Sequence, residues 1–134
     1  MKILVIDAQG GGIGKQLISA IRQNLPDVHI MAVGTNSAAV SNMLKAGPDE
    51  AATGENAVIV ACRKADVIVG PVGIVIADAM LGEITPAMAA AVGASAAKRI
   101  LIPFRNCDNV IVGLENKPVS QLIAEAVSEI TNSQ

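Results

Sequence analysis

The sequence predicts an α/β fold: a doubly wound, mostly parallel sheet of five or six strands in one domain covering residues 1–134. Three observations predict it. Short β-branched and apolar runs at residues 3–6, 28–33 and 67–69 lack polar alternation, as strands covered on both faces require. Between them, apolar residues recur every three or four positions, the period of a helix with one buried face. Strands alternate with helices without repeats or a linker, which implies parallel pairing with helices on both sides of the sheet.

Residues 3–6 form the first strand. Ile13, Leu17, Ile21 and Leu25 follow at four-residue spacing, with Lys15, Gln16, Arg22 and Gln23 on the other side, and Pro26-Asp27 ends this amphipathic helix. The second strand, 28–33, runs into the turn and N-cap residues Gly34-Thr35-Asn36-Ser37. The helix after it carries Val40, Met43 and Leu44 and stops at Gly47-Pro48. Glu50–Thr53 is a short third strand, and Thr53-Gly54-Glu55-Asn56 opens a third helix reaching Ala65. Val58, Ile59 and Val60 have β preference and also fit a hairpin with 67–69; the strand–helix–strand rhythm favours the helix. After the fourth strand, 67–69, the chain reads as two helical pieces, 74–81 and 86–97, with Thr85 as N-cap and Pro86 at the first helical position. Residues 99–102 and 110–112 are the last strands, on either side of a polar loop. Residues 118–130 close the chain as a helix, and 131–134 fray.

Composition narrows the function. Hydrophobic residues make up 51% and charged residues 16%, so the chain is more apolar than most soluble domains. With no Trp or Tyr and Phe104 alone, its core is aliphatic. A net charge of −2 without a run of Lys or Arg argues against nucleic acid, which needs clustered cations and stacking aromatics. Cys62 and Cys107 form no CxxC pair and have only His29 beside them as a possible ligand, so no metal is expected. The N-terminus has strand character and contains Asp7, unlike a signal peptide. The most apolar region, 67–97, is interrupted by Asp78, Glu83 and Pro86, leaving no uncharged span of about 18 residues. The expectation is a cytoplasmic protein without membrane contact.

The turn after the first strand carries the chemistry: Gly10, Gly11, Gly12 and Gly14 surround Ile13. Glycines let a ligand approach the main chain, and a helix start aims free N–H groups and the positive dipole end at one point, which suits phosphate. In a doubly wound sheet the ligand crevice lies where the first strand neighbours the fourth, so this turn should face Gly70, Pro71 and Gly73. Two phosphate-binding patterns fit in part. G-x-G-x-x-G matches Gly10 and Gly12 but meets Lys15 at its third glycine, with Gly14 one residue early. It also expects an acidic residue about twenty positions later to hold the ribose of NAD. Gly34, Thr35 and Asn36 stand there instead, where a 2′-phosphate could meet a helix start. Gly11-Gly12-Ile13-Gly14-Lys15 is similar to a deviant P-loop core, with Gln16 where the Mg²⁺-binding Ser or Thr belongs, so ATP or GTP is the weaker alternative. The third reading is a turn that merely packs helix against strand.

Other candidates have functional and structural readings side by side. Gly54 sits where an adenine or ribose contact could fall, or serves only to start a helix. Asp78 and Glu83 are acids in an apolar stretch; buried, they could act as general acid or base, and otherwise they face solvent or pair with a cation. Glu83, beside the helix break, is the stronger. Arg105 and Asn106 follow the fifth strand and fall on the binding edge, where Arg105 could pair with an anionic substrate group. Cys107 would need a base, and His29 lies in the second strand. No Ser-His-Asp, HExxH or tyrosine–lysine arrangement is present, so a ligand class is legible and a reaction is not. Residues 74–97, rich in Ala and Gly, offer more apolar surface than a small sheet covers, which implies a homo-oligomer.

The segments IDAQGGGIGKQL, AGPDEAATGENA and GPVGIVIADAMLGEITPAM resemble a small bacterial family known only as a domain of unknown function. The resemblance runs over nearly the whole chain, through Arg105-Asn106-Cys107, and GIVIADAMLGEITP is its specific part. It implies no activity; at fold level the chain is similar to dinucleotide-binding Rossmann domains. The expectation is therefore a Rossmann-like protein binding a small phosphate-containing ligand, a nucleotide or an NAD(P)-like dinucleotide. The rival is a non-catalytic homo-oligomeric interaction or regulatory protein with a structural glycine turn.

Overall fold

A computed structural model describes residues 1–103 and 109–134. Ile3, Leu4, Val5 and Ile6 give β1 (Lys2–Asp7) an apolar middle because it lies at the centre of the sheet, where both its faces are covered. With β2 (His29–Gly34), β3 (Glu50–Thr53), β4 (Val67–Pro71) and β5 (Lys98–Ile102) it forms an all-parallel sheet in the order β3-β2-β1-β4-β5. Ile3 pairs with Ile30 on one side and Val67 on the other. The order reverses between β1 and β4, which makes the fold Rossmann-like and puts its crevice at their carboxyl ends.

Alternate strand residues divide the core in two. Ile3 and Val5 face α1 (Gly12–Asn24), α2 (Ser37–Leu44) and α5 (Val119–Thr131). Leu4 and Ile6 face α3 (Glu55–Lys64) and α4 (Pro86–Ala94). Each fully buried Leu or Ile contributes about 1.5–3 kcal/mol relative to exposure, so an aliphatic core suffices without aromatics. At the amino edge, His29 Nε2 lies 2.8 Å from Glu50 Oε2, at the end of the sheet opposite the crevice.

The stretch around 57–65 is helix, as the rhythm predicts: Val58, Ala61 and Cys62 form its buried face, at helical rather than strand spacing. Two expectations fail. Residues 74–81 are not a helix. A short 3₁₀ turn, Val72–Val75, gives way to backbone in the left-handed region at Asp78, Met80, Leu81 and Gly82. The apolar residues satisfy burial there by a doubling back of the chain: Asp78 N–H donates to Ile84 O (2.7 Å) and Ile84 N–H to Ala79 O (3.2 Å), with Ile74, Ala79 and Ile84 buried. Residues 110–112 are not a strand; Val110 and Val112 are 89% and 93% exposed. Too few residues separate them from Ile102 for the crossover that a parallel partner needs, and β preference without a partner makes no ladder. The helix expected over 86–97 ends at Ala94, and Ser95 Oγ, bonded to Cys62 O, takes over the chain.

Candidate functional site

The turn after β1 sorts its own glycines. Gly11 has φ +71°, and a Cβ there would meet Ala39 O at 2.5 Å; a Cβ on Gly14 would lie 2.5 Å from Met43 Sδ. Packing of α1 against α2 therefore demands both. Gly10 and Gly12 are different: neither has a positive φ, and nothing lies within 4 Å of a Cβ built on them.

Asp7 organises the floor. Only 5% exposed, its carboxylate accepts from Ala8 N–H (2.8 Å) and Gly14 N–H (2.7 Å), and so caps a helix whose N-cap residue, Gly11, has no side chain to do so. Burial pushes this carboxyl above its ordinary value; the amides of Gly14, Ala8 and Ile13 oppose the rise, and the charge of Glu83 adds to it.

Two asparagines orient the turn. Asn36 Nδ2 donates to Gln9 O (3.1 Å) and Asn42 Nδ2 to Gly10 O (3.0 Å). In a trans peptide the N–H points opposite its carbonyl, so holding Gln9 O toward Asn36 turns the Gly10 N–H the other way. The Gly11 carbonyl accepts from Lys15 N–H (3.0 Å) and starts the helical ladder, leaving the Gly12 N–H at the open end of α1. Among the described residues, the Gly10 and Gly12 amides have no hydrogen-bond partner.

These amides border a cleft of about 390 Å³ between the turn and the connection after β4, with Pro71, Val72, Gly73 and Met80 as its far wall and Asp7 and Gln16 beside the turn. Residues 10–13 border this cleft together with Pro71 and Gly73, and Gly14 does not. Gly70 serves the sheet instead: a Cβ there would lie 2.4 Å from Ile6 O. The cleft offers amide donors, the positive end of a helix dipole, one buried carboxyl raised above its ordinary value, and an apolar wall.

Glu83 belongs to this edge. Its Oε1 accepts from Thr35 Oγ1 (2.6 Å), Asn36 Nδ2 (2.8 Å) and Gln9 N–H (2.9 Å), and these bonds, Thr35's foremost, hold the carboxyl below its usual range. Thr35, Asn36 and Glu83 stand behind the cleft lining: Thr35 acts through Glu83, and Asn36 through both Glu83 and Gln9 O. Lys15 lines a separate groove with Ser19 and Ser120. Gly54 donates its N–H to Gly34 O at the end of β3, away from the cleft lining. Asp78 is exposed in the left-handed segment. Arg105, Asn106 and Cys107 lie outside the described residues. Cys62 is buried and its thiol is pushed up to about 11, which makes it inert as a nucleophile. In the stretch expected to make an oligomer, Met88, Ala89 and Val92 pack inward, while Ala87, Ala90 and Leu81 face out, Leu81 at 98% exposure. Asp7, Asn42 and Met80 are site residues that sequence reasoning misses. The one signal for Asp7 is a carboxylate ending an otherwise apolar strand just before the glycines.

Among the described residues, no group of three or more His, Cys, Asp or Glu could hold a metal ion, and no helix is long and apolar enough to cross a membrane. The family model DUF3842, a domain of unknown function, matches residues 2–134, and the chain belongs to that family. No curated protein sequence matches it. Among solved structures, the chain is similar to a dodecameric FMN-dependent UbiX-like decarboxylase from Escherichia coli O157:H7, with 20% identity and a TM-score of 0.49 over 98% of this chain and 76% of that one. It is also similar to AibC, with 19% identity and a TM-score of 0.50 over 98% of this chain and 39% of that one; this likeness is one of fold.

Proposed function

With the family's description silent on activity, we propose from the cleft itself that this protein binds the phosphate of a nucleotide-type ligand on the Gly10 and Gly12 amides. One observation carries the reading: these two glycines are required neither by backbone geometry nor by packing, yet they put unpartnered amides at the switch-point crevice. A side chain at either position would stand in the guest's space. The helix dipole contributes about 0.3–1 kcal/mol toward an anion at this end. Asp7 turns its carboxylate to the amides of Ala8 and Gly14 and leaves those of Gly10 and Gly12 unpartnered. A volume of about 390 Å³ is near the low end of ligand clefts, which run roughly 300–1,000 Å³. That favours a mononucleotide, such as FMN or a nucleoside phosphate, over NAD(P).

Thermal-shift measurements with FMN, NAD(P), ATP, GTP and coenzyme A at millimolar concentration test it. At least one should raise Tm, with stabilisation of about 2.7 kcal/mol at a hundred times Kd. Gly10→Val and Gly12→Val should abolish that shift while the unliganded Tm stays near wild type. A panel without any shift, or a shift indifferent to both variants, returns the glycine turn to a structural role.

A further inference from the structure

The place where dinucleotide-binding folds carry a ribose-holding acid, the end of the second strand, is occupied here by Gly34, Thr35 and Asn36. The fold nonetheless brings a carboxylate to that place from another element. The connection after β4 turns through left-handed residues at Asp78, Met80, Leu81 and Gly82 and delivers Glu83 to the carboxyl ends of β1 and β2. Its Oε1 takes all three donors: Thr35 Oγ1, Asn36 Nδ2 and Gln9 N–H. Three bonds on one oxygen immobilise the group and keep it ionised, while no described residue donates to Oε2. The result is a carboxylate with one oxygen held three times and no described donor on the other; it stands just behind the cleft lining, bonded to Gln9, which lines the cleft next to Gly10. An ionised carboxylate oxygen is a pure acceptor, and the hydroxyls of a ribose are donors.

We propose that Glu83 Oε2 accepts from the ribose hydroxyls of the ligand whose phosphate rests on Gly10 and Gly12, so that the β4–α4 connection supplies the acid that the second strand lacks. This rests on the phosphate reading of the cleft and adds its substrate class: a ribonucleotide, told from one without the vicinal hydroxyls. Thr35 and Asn36 are positioning residues that aim the carboxylate.

Calorimetric titration of the wild-type chain with ADP, GDP, CDP and UDP, each against its 2′,3′-dideoxy counterpart, tests the proposal without any variant. At least one ribonucleotide should bind about 10-fold or more tightly than its dideoxy partner, the worth of a hydrogen bond to a charged acceptor. In Glu83→Gln, which keeps the side-chain shape, that preference should fall to about 2-fold or less. Equal affinity within every pair overturns this proposal and leaves the phosphate site standing. Failure of all eight to bind also overturns it, and the phosphate reading is then decided by the cofactor panel and the glycine variants. If Glu83→Gln does not fold, the wild-type comparison of each pair decides alone.

Discussion

The turn after β1 and the connection after β4 face each other across one cleft, yet they differ in how much left-handed backbone falls on residues with side chains. The turn enters the left-handed region twice, at Gln9 (φ 52°) and Gly11 (φ 71°), and hangs its carbonyls on Asn36 and Asn42. Only Gln9 carries a side chain there, and Glu83 and Asn36 hold its N–H and its carbonyl. The connection puts Asp78, Met80 and Leu81 at φ 64°, 57° and 59°, where side chains cost about 1–2 kcal/mol each. Such a backbone persists only when its surroundings hold it, here the buried Ile74, Ala79 and Ile84 and the bonds of Glu83. One side of the cleft is a cradle with one strained residue; the other carries three and depends more heavily on the contacts around it.

The largest effect that tests this contrast lies within the turn. Gly11→Ala should lose about 2–4 kcal/mol in urea unfolding, the sum of a left-handed alanine and a Cβ driven against the Ala39 backbone. Gly10→Ala, one residue away, should stay within about 0.5 kcal/mol of wild type. Equal losses would mean that the turn does not divide into packing glycines and ligand glycines.

A middle-sized effect tests the two carboxyls, one on each side. Asp7 is raised from 3.8 and Glu83 lowered from 4.5, so the two carboxyls shift in opposite directions from their free values. The signs follow for stability. Glu83 contributes stability above its unfolded value, lost as pH falls through its lowered folded value. Asp7 contributes stability below 3.8, lost as pH rises through its raised one. Carboxyl-carbon NMR titration reads both directly. Asp7 titrating at or below 3.8 would undo the effect of its burial, and Glu83 titrating at or above 4.5 would undo that of its three donors.

The contrast also explains what could be read in advance. The strands and α1 follow from periodicity, and the turn declares itself by glycine, because both signals are local. The fate of 74–84 is not local. Ile74, Ala79 and Ile84 carry the apolar content of a helix, but left-handed residues end it, and nothing at positions 78, 80 or 81 announces them. Glu83 was legible as an acid beside a break; its partners Thr35, Asn36 and Gln9 lie 48, 47 and 74 residues away, so its task was not. Gly70 read as a ligand glycine because its true neighbour, Ile6 O, is visible only once β1 and β4 are paired. Val110 and Val112 misled in the other direction, by a propensity that needs a partner to act.

The smallest effect lies at the tip of the connection. Leu81 is 98% exposed at φ 59°, so its side chain packs against nothing in the chain while its Cβ strains the backbone. Asparagine tolerates the left-handed region better than leucine. Leu81→Asn should therefore stabilise the protein by about 0.5 kcal/mol, a rise of about 2 °C in Tm. Gly12→Ala on the cradle side has no strain to release, and its gain comes only from helix propensity. A fall in Tm for Leu81→Asn that deepens with protein concentration would mean that a second copy covers this leucine. The connection would then be held from outside the chain as well as from within.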